Sequence, residues 1–288
     1  MSADASLLPG KGREVLITGC SSGIGAAAAT GLRARGYRVL ASARQPADVA
    51  KLKADGFEAF HLDYADADCV AEAADTVLEA TGGALYGLIN NGAYSQPGAV
   101  EDVPRAALAA EFEANLFGWH DVTCRLIPAM RARGEGRIVQ VSSVLGLIAM
   151  KYRGAYIASK FALEGLSDTL RLELAGTGIH VVLVEPGPIA TRFSINAAEH
   201  FRRNIDAENS PHREVYVRRR ARLERGGAKR FKLPPEAVVK SIEQALEAPR
   251  PKLRYRVTTP AHVAAVARRL LPGRVLDRFL GGASDREQ

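Results

Sequence analysis

The sequence predicts an α/β protein: a Rossmann-type, doubly wound parallel sheet of about seven strands with helices on both faces. Three observations predict it. Short β-branched runs alternate with Ala-rich helical stretches through about the first 190 residues, the signature of βαβ units whose crossover helices cover both sheet faces. A glycine-rich turn joins the first strand run to the first helical stretch. The residues with reactive chemistry fall at or just after the ends of later strand runs, where open α/β sheets bind their ligands.

Taken in order, the strand runs are Glu14–Gly19, Arg38–Arg44, Glu58–Asp63, Tyr86–Asn91, Arg137–Ser143 and His180–Gly187. Helices are expected near 23–35, 46–54, 67–80, 104–130 and 156–175. After Thr191 the alternation stops. Residues 192–233 show no clear strand, Pro234-Pro235 opens a helix over 234–247, and Arg254–Thr258 reads as a last strand. A helix over 261–271 is followed by Pro272-Gly273 and a short polar tail. One domain is expected over 1–288, with its core at about 13–191 and 234–260, a lid at 192–233 and an extension at 261–288. In that extension Val263, Val266, Ala267, Leu270 and Leu271 form a helical stripe, for which core or subunit packing is the default.

The 288 residues carry 39 Lys+Arg against 32 Asp+Glu, a net charge of +7. Residues 1–200 hold 18 basic and 22 acidic side chains, residues 201–288 hold 21 and 10, and residues 201–233 alone hold 11 and 4. With 47% hydrophobic and 25% charged residues, disorder and collagen-like repeats are excluded. The start, MSADASLLPG, has neither a basic n-region nor an apolar h-region, so no secretory signal is expected. The longest uncharged run, residues 80–100, contains five Gly, two Asn and a Pro, which is turn chemistry rather than a membrane span. Cys20, Cys69 and Cys124 are far apart and no CxxC or HExxH occurs, so neither a disulfide framework nor a metal site is expected, and a cytoplasmic setting fits. The basic segment reads first as a solvated mobile lid, with an anionic-substrate site or an acidic membrane surface as the other readings. Nucleic acid is disfavoured as a partner because aromatic side chains for base stacking are few there, Phe201, Tyr216 and Phe231.

The turn Thr18-Gly19-Cys20-Ser21-Ser22-Gly23-Ile24-Gly25 has GxxxGxG spacing. Glycines let the backbone turn sharply and approach a pyrophosphate resting on the helix N-terminus. A plain strand-to-helix turn is the bland alternative, and the strand–turn–helix context favours the dinucleotide. The second strand run ends Ala41-Ser42-Ala43-Arg44, with no acid where a bound NAD ribose wants one. Arg44 suits a 2′-phosphate because its planar fork makes bidentate, charge-assisted bonds, so NADP(H) is the expected cofactor.

In Tyr156-Ile157-Ala158-Ser159-Lys160 the first and last residues share one helix face. A phenol near pKa 10 is a poor base at neutral pH; a nearby ammonium is expected to lower it toward the range where proton transfer works. Ser142-Ser143 end the apolar run RIVQV. Adjacent strand residues face opposite ways, so one hydroxyl aims at the site, able to hold a substrate oxygen while Tyr156 exchanges its proton.

Together the TGxxxGxG turn, Asp63, the Asn90-Asn91 pair, Asn115, the Ser142-Ser143 strand end, YxxxK and Pro186-Gly187 follow in one order over about Glu14–Thr191. In this the sequence resembles the single-domain branch of the short-chain dehydrogenase/reductase superfamily. The resemblance implies Tyr156 as general acid/base and Ser143, thirteen residues before it, as substrate orienter. It implies that Lys160 holds the nicotinamide ribose and tunes Tyr156, and that Asn115 holds a water in a proton relay. It assigns the cofactor to the turn residues Gly19, Ser21, Ser22, Gly23, Ile24 and Gly25, with Arg44, then Asp63 at adenine and Asn90 at the adjoining ribose. At the other end Pro186 and Gly187 precede Ile189 and Thr191, which the resemblance puts on the nicotinamide carboxamide. VEPGPIATRF and RYRVTTP look most like members acting on hydroxysteroids, retinoids or other apolar alcohols and carbonyls. A homodimer or homotetramer, no nucleic-acid partner and no metal are implied as well. One departure stands out: the family usually reads Asn-Asn-Ala-Gly where this chain has Asn90-Asn91-Gly92-Ala93, which is expected to move the residue able to take φ > 0. The other readings are a non-catalytic NADP-binding or membrane-surface protein of the same fold, and a reductase of anionic acyl-type substrates. The nucleotide-sugar epimerase/dehydratase branch matches neither the glycine spacing nor the size of the C-terminal part.

Overall fold

A computed structural model describes residues 8–226 and 231–285. Each strand run forms a strand within a residue or two of its expected limits: β1 (Glu14–Ile17), β2 (Arg38–Ala43), β3 (Glu58–His61), β4 (Leu85–Asn90), β5 (Gly136–Val141), β6 (Ile179–Pro186) and β7 (Arg254–Val257). They join in one sheet of order β3-β2-β1-β4-β5-β6-β7, with every neighbouring pair parallel. Helices on both faces leave the central strands no wet side, and β4 and β5 are buried at all six positions. The strand order reverses between β1 and β4, which opens a crevice at their carboxyl ends.

Helices α1 (Gly23–Ala34), α2 (Pro46–Ala54) and α3 (Ala67–Thr81) cross over between the first four strands. The last is bounded by Asp66, whose carboxylate accepts from the backbone N–H of Asp68 and Cys69, and by Gly82 in the left-handed region at φ 55°. The long helix expected at 104–130 is interrupted: α4 (Arg105–Phe112) passes through a π turn at Glu113–Phe117 into α5 (Gly118–Arg133). Such π turns insert one extra residue and re-aim the side chains around them, and Asn115 lies in this one. Then come α6 (Gly154–Glu173), which carries Tyr156 and Lys160, and α9 (Glu236–Glu247), which packs against α1 and the strand face.

The lid and extension are more ordered than the sequence indicated. Residues 192–226 contain two helices, α7 (Phe193–Asn204) and α8 (Arg213–Glu224), packed on each other. Residues 227–230 of the expected lid lie outside the described residues. The expected polar tail is in fact a helix, α11 (Gly273–Asp285), burying Leu276, Leu280 and Ser284 at i, i+4 and i+8. Pro272 precedes its first turn, where a missing N–H costs no bond. Helix α10 (Thr259–Leu270) turns its alanines inward, Ala261, Ala264 and Ala267. Val263, Val266 and Leu270 of the predicted stripe are exposed, because small side chains let α10 sit close to its neighbours.

Candidate active site

One cleft of about 1740 Å3 runs along the carboxyl ends of the strands. Its floor begins at the glycine turn. Gly19 takes φ 68°, and a Cβ there would lie 2.6 Å from Gly92 Cα, so both its backbone and its neighbour hold this position to glycine. A Cβ on Gly25 would lie 2.2 Å from Gly19 O; Gly25 therefore packs α1 under the turn and does not line the cleft. Thr18 Oγ1 accepts from the N–H groups of Asn91 at 2.8 Å and Gly92 at 3.2 Å, and Asn91 Nδ2 donates to Thr18 O at 2.9 Å and Gly19 O at 3.2 Å. The turn is thus fixed to the end of β4. Neither Gly92 nor Ala93 has positive φ, so the swapped Gly-Ala order leaves an ordinary backbone, against the expectation.

Ser22 at the N-cap of α1 makes no side-chain cap bond, and the first turn holds no acid. Ser21, Ser22, Gly23 and Ile24 line the cleft at this helix start, whose first-turn N–H groups have no partner within the helix and fit a pyrophosphate. Gly23 closely faces Thr191, whose Cγ2 would be 2.9 Å from a Cβ at Gly23, leaving a narrow slot across the turn. Arg44, Asp63, Ile24, Pro186, Gly187 and Ile189 line the same cleft. These residues fit a nicotinamide dinucleotide: glycine floor, uncapped helix end, and a cation just beyond β2.

Neither Asn90 nor Asn115 lines the cleft. The Asn90 side chain is fully buried behind the cleft, its Oδ1 accepting from Tyr64 Oη at 3.0 Å and its Nδ2 donating to Thr123 Oγ1 and Gln140 Oε1 at 3.0 Å each. It holds β4, β5 and α5 together and leaves the cleft to Asn91. Asn115 is likewise buried: Oδ1 accepts from Tyr94 N at 3.1 Å and Nδ2 donates to Tyr94 O at 2.9 Å, with longer contacts to Glu111 and Ser159. Its amide thus ties the π turn to the Tyr94 backbone.

Ser143, Tyr156 and Lys160 do converge on the cleft. Ser143 Oγ accepts from Leu145 N at 3.1 Å and hydrogen-bonds the Tyr156 phenol; Ser142 points instead to Glu164. Tyr156 lies in an apolar cluster with Leu145, Ile148, Ala264 and Leu280 and meets Phe193 of the lid edge-on at 5.4 Å. Burial pushes its pKa up, opposed by the Ser143 hydrogen bond and the charge of Arg153. The expected depression by Lys160 is not found. Lys160 is itself 1% exposed, and burial lowers its pKa to about 7 against the pull of Glu111 and Glu164. Its Nζ donates to Val141 O at 3.2 Å.

Glu111, Tyr94 and Trp119 escaped the sequence reading. Glu111 is fully buried. Both its oxygens accept from Gln96 N at 3.2 Å, and burial raises its pKa to about 8 against the charge of Lys160. The available signal was spacing: Glu111, Asn115 and Trp119 recur every four residues, one helix face with polar groups where a core stripe belongs. Tyr94 stacks on His200 of α7 with centroids 4.1 Å apart, so α7 reaches across to the segment after β4.

Fold and site together define a dinucleotide-binding α/β oxidoreductase. The chain matches the family model "short chain dehydrogenase" over residues 13–201 and belongs to that family. It is 45% identical over 271 residues to the uncharacterized oxidoreductase YbbO of Escherichia coli, covering 94% of each. It is 31% identical to an NADPH-dependent 3-dehydrocapnine reductase of Ornithobacterium rhinotracheale (93% and 95% covered) and 32% identical to retinol dehydrogenase 16 of Mus musculus (93% and 87%). Among solved structures, a short-chain dehydrogenase of Streptomyces avermitilis superposes with a TM-score of 0.76 at 30% identity over 96% of this chain and 98% of that one. A short-chain dehydrogenase/reductase of Burkholderia phymatum in complex with NAD does so at 0.77 and 25%, over 95% and 96%. Among the described residues no helix is long and apolar enough to cross a membrane, and no cluster of potential metal ligands occurs.

Proposed function

We propose that this chain is an NADP-dependent oxidoreductase that interconverts a secondary alcohol and a carbonyl on a mainly apolar substrate. The convergence of Ser143, Tyr156 and Lys160 on one cleft carries the reading; the NADPH-dependent relative and Arg44 beyond β2 support the cofactor choice. The bound nicotinamide supplies a hydride donor or acceptor. Ser143 holds the substrate oxygen, and Tyr156 delivers a proton to that oxygen in reduction or removes it in oxidation. Burial keeps the Tyr156 phenol protonated in the free protein, the state that reduction needs. In the oxidative direction Ser143 and Arg153 favour the phenolate. Lys160, its pKa lowered to about 7 by burial, lines the cleft with Tyr156 and passes the proton onward. Leu145, Ile148, Phe193 and Leu280 form the apolar wall against which a steroid-, retinoid- or fatty-type body lies.

Turnover of a panel of apolar ketones and alcohols, followed by NADPH absorbance in the full chain and in Tyr156→Phe, tests this. Loss of the phenolic hydroxyl is expected to lower turnover by about 10²–10⁴-fold while NADPH still binds. Unchanged turnover in Tyr156→Phe removes the acid/base assignment, and NADPH binding without turnover in either protein favours a non-catalytic dinucleotide-binding protein.

A further inference from the structure

We infer that the substrate is an amphiphile whose anionic group is held by the arginines of α8 while its apolar body lies against the Tyr156 wall. This rests on the proposed alcohol/carbonyl chemistry and adds its substrate class. The cleft changes character along its length. Around Tyr156 its wall is apolar: Val144, Leu145, Ile148, Met150, Phe193 and Leu280. Farther out the wall is α8, which contributes Arg218, Arg219, Arg220, Arg222 and, just past its end, Arg225. Arg218, Arg222 and Arg225 stand at i, i+4 and i+7, one face of the helix.

Among the described residues that line the cleft, basic side chains outnumber acidic ones. The acidic residues lining the cleft are Asp48 and Asp63, on the β2–β3 side, and Glu199 in α7. Glu224 of α8 pairs with Arg202 at 3.1 Å and with Arg220 at 3.3 Å, so Arg220 is the wall cation already neutralised in part. The helix is also built into place. Tyr216 is 2% exposed, donates to Asp102 and accepts from Ala99 N at 2.9 Å. Arg219 covers the Tyr152 ring at 4.5 Å and donates to Lys151 O at 3.3 Å, which ties α8 to the segment leading into Tyr156. A purely apolar alcohol has no use for a wall of cations, whereas a carboxylate, sulfonate or phosphate on an apolar chain satisfies both halves of the cleft.

The test compares oxostearate with its methyl ester, and oxoalkyl sulfonates and phosphates of matched length, as substrates of the full chain with NADPH. The anionic forms are expected to give roughly tenfold or greater kcat/KM over the ester, as charge-assisted bonds provide, and the advantage shrinks with added salt. In Arg218→Gln/Arg222→Gln the preference is expected to fall to within about twofold while turnover of the methyl ester is kept. The ranking of carboxylate, sulfonate and phosphate identifies the head group. Binding of stearate and methyl stearate, non-reacting probes, is measured in parallel by quenching of NADPH fluorescence. If no oxo compound turns over, the alcohol/carbonyl reading fails while these probes still report the anion preference. Equal kcat/KM or equal binding for acid and ester overturns the inference, as does a preference that survives in the double variant.

Discussion

Lys160 Nζ sits 4.1 Å from the centroid of the Trp119 ring, and Trp119 donates from Nε1 to Gly92 O at 2.8 Å. One buried indole thus connects the ammonium that lines the cleft to the residue that faces the glycine turn. A ring face attracts a cation, so Trp119 favours the charged form of Lys160. Trp119→Leu removes the ring, leaves Gly92 O without its donor and opens space in the core. We expect a loss of about 2–4 kcal/mol in stability by denaturant titration and a shift of the Lys160-dependent limb of the pH–rate profile to lower pH. An unmoved limb with the full stability loss assigns Trp119 to packing alone.

Glu111 is fully buried, and its pKa is raised from 4.5 to about 8. Because the folded value lies above the unfolded one, the native state binds the extra proton between these limits. The stabilising contribution is therefore complete below about pH 4.5 and is lost as pH rises through about 8. Glu111→Gln keeps an acceptor for Gln96 N and removes the titration. Relative to the parent, the variant is expected to gain about 1–3 kcal/mol in going from about pH 5 to about pH 8, read by chemical denaturation at both. A pH-independent difference contradicts the assignment.

Much of this fold is legible in the sequence. The β-branched runs became strands because a sheet covered on both sides needs continuous apolar segments, and GxxxGxG became the turn because φ 68° at Gly19 suits no larger residue. What escaped depends on neighbours distant in sequence. The π turn at Asn115 has no local breaker, only a tertiary contact with the Tyr94 backbone. Asn90 was assigned to the ligand by motif, yet its amide completes a bond set with Tyr64, Thr123 and Gln140 that no spacing rule reveals. For α10, apolar size pointed to the valine and leucine face, while close helix approach selected the alanines.

Gly19 and Gly83 separate backbone freedom from close approach. Both have positive φ, 68° and 75°, but a Cβ at Gly83 meets nothing within 4 Å. Gly83→Ala is expected to cost about 1 kcal/mol from backbone strain alone and to leave cofactor affinity unchanged. Gly19→Ala adds the 2.6 Å approach to Gly92 Cα, so it costs more stability and weakens NADPH binding. Dinucleotide titration together with thermal unfolding of both variants checks this; equal effects at the two sites remove the close-packing argument for the turn.

Arg44 decides the cofactor prediction. It follows β2 at the point where the chain leaves the sheet, it is exposed, and it lines the cleft with Gln45 and Asp48. Exposure makes its interaction with a ribose hydroxyl weak, but a 2′-phosphate brings two charges and three acceptor oxygens to a guanidinium fork that needs no burial to bind them. Its removal is therefore selective. In Arg44→Ala the affinity for NADPH is expected to fall roughly tenfold to a hundredfold, the value of one or two charge-assisted bonds, with NADH binding changed by about twofold or less. The NADPH loss also shrinks with rising ionic strength, since an exposed pair is screened over about 10 Å at ordinary salt. Fluorescence titration of both dinucleotides at two salt concentrations measures both effects. Equal weakening of NADPH and NADH identifies Arg44 as a general support of the β2 end and returns the choice of dinucleotide to Ser42, Gln45, Asp48 and Asp63, polar side chains on that side of the cleft.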